Sequence, residues 1–189
     1  MKRILLFAAL LASAPAAALP IIDVSISAGL NHSRVDANTN FSVPTESYSG
    51  TEPRVTFNAS VTTLLAVELG WSKLASNSTV VTIVPPGGAG GGGAIDETLH
   101  ESGSVLWLAY APSVRLGALE LAGKLGAARL KRDLILTRLG VNLSDISDTE
   151  VLFGAAGTYW FKDTVGLRLD AEQIGSDVTQ MGLSLTIGF

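Results

Sequence analysis

The sequence predicts an all-β fold, an eight-stranded antiparallel up-and-down barrel that spans a membrane. Three observations predict it. At the end of the chain Met181, Leu183, Leu185, Ile187 and Phe189 are apolar, and Gln180, Gly182, Ser184, Thr186 and Gly188 between them are polar or small. Unbroken period two marks a strand with unlike faces. In a transmembrane barrel the apolar file meets lipid, the small and polar file lines the interior, and aromatic residues form girdles at the interfaces. The second observation is compositional: 47% of residues are hydrophobic and mean hydropathy is +0.38, yet no mature segment has the roughly 18 consecutive apolar residues of a spanning helix. The third is that the same alternation returns along the chain, between connections that are alternately short and long.

The elements follow in order. Residues 1–18 read as a cleaved secretory signal, with Lys2 and Arg3 at its positive end, Ile4 to Leu11 as its apolar core, and Ala16-Ala17-Ala18 as its small-residue cleavage site. The barrel domain is then 19–189. Strand one runs from Ile22 to Leu30, with Val24, Ile26, Ala28 and Leu30 on one face. Residues 31–53, rich in Ser, Thr, Asn, Pro and Gly, read as a surface loop. Strand two carries Val55, Phe57, Ala59 and Val61 on its apolar file, and strand three Leu65, Val67, Leu69 and Trp71, with Glu68 facing inward. Strand three can run on, with slipping register, through Thr79 to Val84. The tract Pro85 to Gly93 is low-complexity; no Gly-Lys-Ser/Thr follows it, so it is a loop tip and not a phosphate cradle.

Strand four spans Ser102 to Ala111, with Leu106, Leu108 and Tyr110 outward and Trp107 inward. A turn at Pro112-Ser113 leads to strand five, Arg115 to Arg129, with Glu120 and Lys124 on its inner file. Leu130 to Asp148 reads as a third long loop, partly helical on the spacing of Leu134, Leu136, Leu139 and Leu143. Strand six carries Val151, Phe153, Tyr159 and Phe161 outward and closes at the turn Lys162-Asp163-Thr164. Strand seven sets Val165, Leu167, Leu169 and Ala171 against Gly166, Arg168, Asp170 and Glu172, and Gly175-Ser176-Asp177 reverses into the closing strand. That strand is expected to pair with strand seven on one side and strand one on the other.

The expected short turns near residues 63, 113 and 163 would lie on the periplasmic side, with the longer loops outside. Tyr110, Tyr159 and Phe161 beside those turns, with Phe189 at the same level, make a candidate interfacial girdle. A soluble lipocalin-like barrel would place its apolar residues inside. A net charge of -4 gives no basic footprint for nucleic acid. With no cysteine there are no disulfides, thiol nucleophile or Cys-based metal site, and two histidines make a poor metal centre. No cofactor is expected.

The stretch "LAVELGW" at 65–71, the repeat "LFGAAGTYWFKDTVGLRLDAEQ" and the closing "MGLSLTIGF" resemble the eight-stranded transmembrane domain of the OmpA family and its small standalone relatives. The resemblance implies a bacterial outer-membrane protein, with Glu68 and Arg168 pointing into a barrel core filled with polar side chains. It also implies that Phe189 serves as the C-terminal signal read by the barrel-assembly machinery. The chain departs from the pattern at Thr158, where the family has Glu, and at Trp107, where it has Lys, and it lacks the periplasmic peptidoglycan-binding domain of full-length members.

Glu68, Glu120, Lys124, Arg168, Asp170 and Glu172 form the expected inward charged set. Buried charges persist when paired and hydrogen-bonded, and an eight-stranded barrel has room for side chains and little else. The set therefore reads as a salt-bridge plug. A narrow gated channel, porin-like, in which Glu68 and Arg168 exchange partners, is the alternative. A lipid A-modifying enzyme is the lesser alternative: His100-Glu101-Ser102 has the His-x-Ser spacing of lipid A deacylases, but it reads as a polar loop beyond the membrane, and His32 at the mouth of strand one has no better support. The sequence thus predicts a non-catalytic, monomeric outer-membrane barrel in contact with lipopolysaccharide, with a structural or surface-interaction role and loops open to an extracellular partner.

Overall fold

The computed structural model describes residues 22–36, 47–83, 95–136 and 141–189; the expected signal sequence and the glycine-rich tract lie outside them. Nine strands follow in order: β1 (Asp23–Val35), β2 (Tyr48–Thr62), β3 (Leu65–Ile83), β4 (Ile95–Tyr110), β5 (Ser113–Leu116), β6 (Leu119–Leu136), β7 (Val141–Lys162), β8 (Val165–Ile174) and β9 (Val178–Gly188). Every pairing is antiparallel. The last strand pairs with both β8 and β1, and β4 pairs with β6, which closes the sheet on itself. A closed ladder leaves no free edge, the condition for a sheet to cross lipid.

The wall has eight strands because β4 and β5 are one strand interrupted at Ala111-Pro112. Pro112 has no N–H to give the ladder. Ala111 N still donates to Ala66 O and Ser113 N to Thr63 O, so both pieces stay on β3's side of the wall. The turn expected at Pro112-Ser113 therefore lies later, at Gly117-Ala118, where Gly117 has φ of 64° and meets the left-handed backbone without a Cβ penalty. Arg115 belongs to the strand before the turn.

Three further expectations are corrected. The loop expected at 31–53 is strand at both its ends, since β1 reaches Val35 and β2 starts at Tyr48. Strand four begins at Ile95, seven residues before Ser102, so His100 stands in a strand, as does His32. The loop with helical character expected over 130–148 is the far end of a β6–β7 hairpin, paired from Leu130↔Asp148 to Leu136↔Val141. Strand three does run on, to Ile83, through a bulge between Leu74 and Asn77.

Three tight turns, at 63–64, 117–118 and 163–164, mark one end of the barrel, the turn end. The opposite, loop end has a slanted rim. β8 and β9 have 10 and 11 residues, near the roughly 9 to 11 that a tilted strand needs to cross a bilayer. β3, β4, β6 and β7 have 19, 16, 18 and 22, so on that side a four-stranded wall continues past the crossing. The outer files are apolar and exposed, with Leu30, Leu69, Leu108, Leu125, Phe153, Leu169, Leu183 and Leu185 among them. Patches of such extent are rare on soluble monomers; here they form a continuous belt, and the barrel spans a bilayer.

Candidate functional site

Alternation places the site. Arg54 from β2, Glu68 from β3, Lys124 from β6, and Arg168, Asp170 and Glu172 from β8 all point inward and converge, none more than 5% exposed. Lys124 Nζ lies 2.8 Å from Glu68 Oε1, 2.5 Å from Asp170 Oδ1 and 2.5 Å from Glu172 Oε1. Arg54 grips Glu172 with both terminal nitrogens, 2.7 Å each, the bidentate geometry that suits guanidinium to carboxylate. Arg168 Nε donates to Asp170 at 2.9 Å, and its Nη2 donates to Glu68. Asn58, with its amide turned to satisfy both neighbours, donates to Glu68 Oε2 at 3.0 Å and accepts from Arg168 Nη1 at 2.9 Å. Three cations face three carboxylates, so the layer is neutral.

Five of the six inward charges read from the sequence meet here. Glu120 does not; it sits nearer the turn end and accepts from Trp160 Nε1 at 2.9 Å. Sequence reasoning missed Arg54, which lay one residue outside the expected second strand. Carrying the inward file of Asn58 and Thr56 back by two would have found it. Trp107 was read as inward, but its part in the network was not. Its Nε1 donates to Glu68 Oε1 at 2.9 Å, and its ring lies under the Arg54 guanidinium, 4.6 Å from the centroid. Gly70 makes that possible, since a Cβ there would fall 2.0 Å from Trp107 Cζ2. Glu68, Asp170 and Glu172 are close enough together to hold a metal ion, but the ammonium of Lys124 touches all three and supplies the positive charge at their centre.

Toward the loop end lies an apolar layer. Val35, Val178, Ile174 and Leu152 are successive register partners across β1, β9, β8 and β7, and Leu74, Val105 and Leu130 complete it from β3, β4 and β6. Tyr48 of β2 packs against them. Burial, and then the neighbouring Glu101, push its hydroxyl pKa up, so it stays neutral at the loop end. A polar strap also crosses the lumen, with Gln180 of β9 and Ser72 of β3 joined at 3.1 Å. Toward the turn end the lumen opens into a vestibule of about 270 Å³, lined by Asp23, Ser25, Arg115, Glu120, Trp160 and Arg168.

On the exterior, Tyr110, Tyr159, Phe161 and Phe189 are exposed near the turn end. Tyr159 and Phe161 meet edge to face, ring centroids 5.4 Å apart, and the Tyr110 hydroxyl donates to Leu64 O. His100 pairs across the β3–β4 ladder with Ser78, Nδ1 to Oγ 3.0 Å, and not with Ser102. His32 Nδ1 lies 3.2 Å from Thr51 Oγ1.

The closed wall, the lipid-facing belt and the filled interior together decide the architecture. The fold is that of the small eight-stranded outer-membrane barrels, the OmpA-like kind. OprG of Pseudomonas aeruginosa superposes with a TM-score of 0.61 at 13% identity, over 88% of this chain and 95% of that one. Ail of Yersinia pestis, solved in complex with the heparin analogue sucrose octasulfate, gives 0.55 at 15% identity, over 89% and 99%. The N-terminal β-barrel domain of Pseudomonas aeruginosa OprF gives 0.52 at 12%, over 88% and 97%. No family model matches the sequence, and no curated protein matches it either. In this architecture the turn end is periplasmic and the loop end faces outward.

Proposed function

We propose that the protein is a closed outer-membrane barrel with a structural or surface-interaction role, and that it is neither a pore nor a catalyst. The observation that carries this reading is the double occlusion of its lumen. A neutral layer of paired charges fills one level, and an apolar layer with side chains from all eight wall strands fills the next. Partner exchange between Glu68 and Arg168 would rearrange the first and leave the second dry. Catalysis at His100 lacks support, because among the described residues no carboxylate bonds the imidazole whose Nδ1 meets Ser78.

The raised wall of β3, β4, β6 and β7 is the surface offered to an external partner. Ail, with the same architecture, was solved with a heparin analogue, which supports the idea that such an outer rim can receive large polar ligands. In this reading the barrel is monomeric, touches lipopolysaccharide along its outer leaflet, and is delivered through recognition of Phe189 by the assembly machinery.

Planar-bilayer recording of the purified barrel tests the reading. No reproducible conductance above the lipid background is expected at either polarity. Regular unitary steps would overturn it.

A further inference from the structure

The outer wall carries a small basic depression where the apolar belt ends on the loop side. It has a volume of about 330 Å³ and is lined by Ser104 and Leu106 of β4, Arg129 and Lys131 of β6, and Ser147 of β7. The ladder sets these residues side by side: Ser104 opposes Lys131, which opposes Ser147, and Leu106 opposes Arg129 one step toward the belt. Below them on the same files are Leu108, Leu125 and Val151, all exposed to lipid. The cations therefore stand at headgroup height, directly over a strip that acyl chains cover.

The described cations on the outward files at this end are Arg34, Lys73, Arg129 and Lys131. Arg34 has Asp36 at 2.9 Å, Lys73 has Glu52 at 3.5 Å, and Lys131 has Asp133 at 3.5 Å. Among the described residues no carboxylate pairs with Arg129. Its Nε donates to Ser147 Oγ at 2.7 Å, which fixes the plane of the guanidinium and leaves Nη1 and Nη2 as a donor fork without a partner among the described residues. Such a fork suits phosphate bidentately, and the hydroxyls of Ser104 and Ser147 flank it.

We propose that this depression binds the phosphate of an anionic lipid of the surrounding leaflet, the phosphorylated glucosamine headgroup of lipid A, with Arg129 as the principal contact. The proposal rests on the outer-membrane reading above. Arg129 donates the paired hydrogen bonds, Lys131 adds a second positive charge partly shared with Asp133, and the acyl chains continue down over Leu106 and Leu108. Commitment to a lipid, and not to free phosphate, follows from that continuity of cation and apolar strip on one face.

Native mass spectrometry of the full mature chain in neutral detergent provides the test, with bis-phosphorylated lipid A and enzymatically dephosphorylated lipid A titrated in parallel. Heat-modifiable migration in gels establishes beforehand that each variant is a folded barrel, independently of lipid choice. The wild type should retain the phosphorylated lipid about tenfold more strongly than the dephosphorylated one, the size of one charge-assisted contact. Arg129→Gln should abolish most of that preference, whereas Arg34→Gln, which removes a cation already paired, should keep it. Equal retention of both lipids by the wild type would overturn the proposal, as would equal losses in the two variants, which would mean diffuse charge and no site. Displacement of the lipid by millimolar inorganic phosphate would overturn the assignment to a lipid.

Discussion

Lys124 is the residue on which the interior turns, because its ammonium hydrogen-bonds all three carboxylates of the layer, whereas Arg54 bonds Glu172 and lies 3.4 and 3.9 Å from Asp170 and Glu68. Lys124→Met would leave three carboxylates against two guanidinium groups in a site closed to water. Removing one partner of a buried ionic cluster costs about 3–5 kcal/mol, and urea unfolding of the refolded barrel should show a loss of that size. Glu120→Gln, at the half-buried rim of the vestibule, keeps an acceptor for Trp160 Nε1 and should cost less than about 1 kcal/mol. At this scale the sequence was legible where parity decides: period two is enough to turn Glu68, Lys124, Arg168, Asp170 and Glu172 inward. Parity does not say at what height two residues from different strands meet. The stagger between strands sets that, which is why Trp107 against Gly70, and Arg54 against Glu172, came only from the structure.

At the scale of the element, β9 shows the two faces most plainly, with Leu185 half-exposed on the lipid side between Ala28 and Leu167, and Ser184 buried on the other. Leu185→Arg should destabilise the inserted barrel by about 2–4 kcal/mol if it lies near the midplane. Ser184→Ala, which removes a hydroxyl with no hydrogen-bond partner, should change it by less than about 0.5 kcal/mol. Equilibrium unfolding from lipid vesicles compares the two; equal effects would mean that the faces are misassigned. The elements misread from the sequence share one physical cause. Past the apolar belt the outward file meets water and turns polar, as at Arg34, Lys73 and Lys131, while the inner file stays buried and mixes polar with apolar residues, as at Ser33 and Val35, so the alternation that betrays a lipid-facing strand disappears. The far ends of β1, β2, β4, β6 and β7 were lost in this way. The turn near Pro112 was misplaced for a different reason: proline ends a ladder bond without ending the strand, and the reversal waits for Gly117.

For the whole molecule, the neutral interior layer and the apolar layer tie distant parts of the wall together. Arg54 and Glu172 are 118 residues apart in the chain, Glu68 and Arg168 100. No single hairpin completes these pairings. Urea unfolding followed by tryptophan fluorescence and by the shift in gel mobility should therefore give coincident single transitions, the behaviour of a two-state system; separated midpoints would show that part of the wall stands alone. The same long-range pairing bears on how the barrel comes to exist. β8, which brings Arg168, Asp170 and Glu172, is the penultimate strand of the chain, and the first and last strands, β1 and β9, pair at the seam. A nascent sheet that has β2 and β3 but not β8 would leave Arg54 and Glu68 with only each other, 3.9 Å apart, and without Glu172 and Arg168, their closer partners, and lipid would penalise it. Half-built forms are thus unstable in the bilayer and are driven either forward to closure or back into water. The salt-bridge layer would thereby favour, during biogenesis, chains whose last strands have arrived in register.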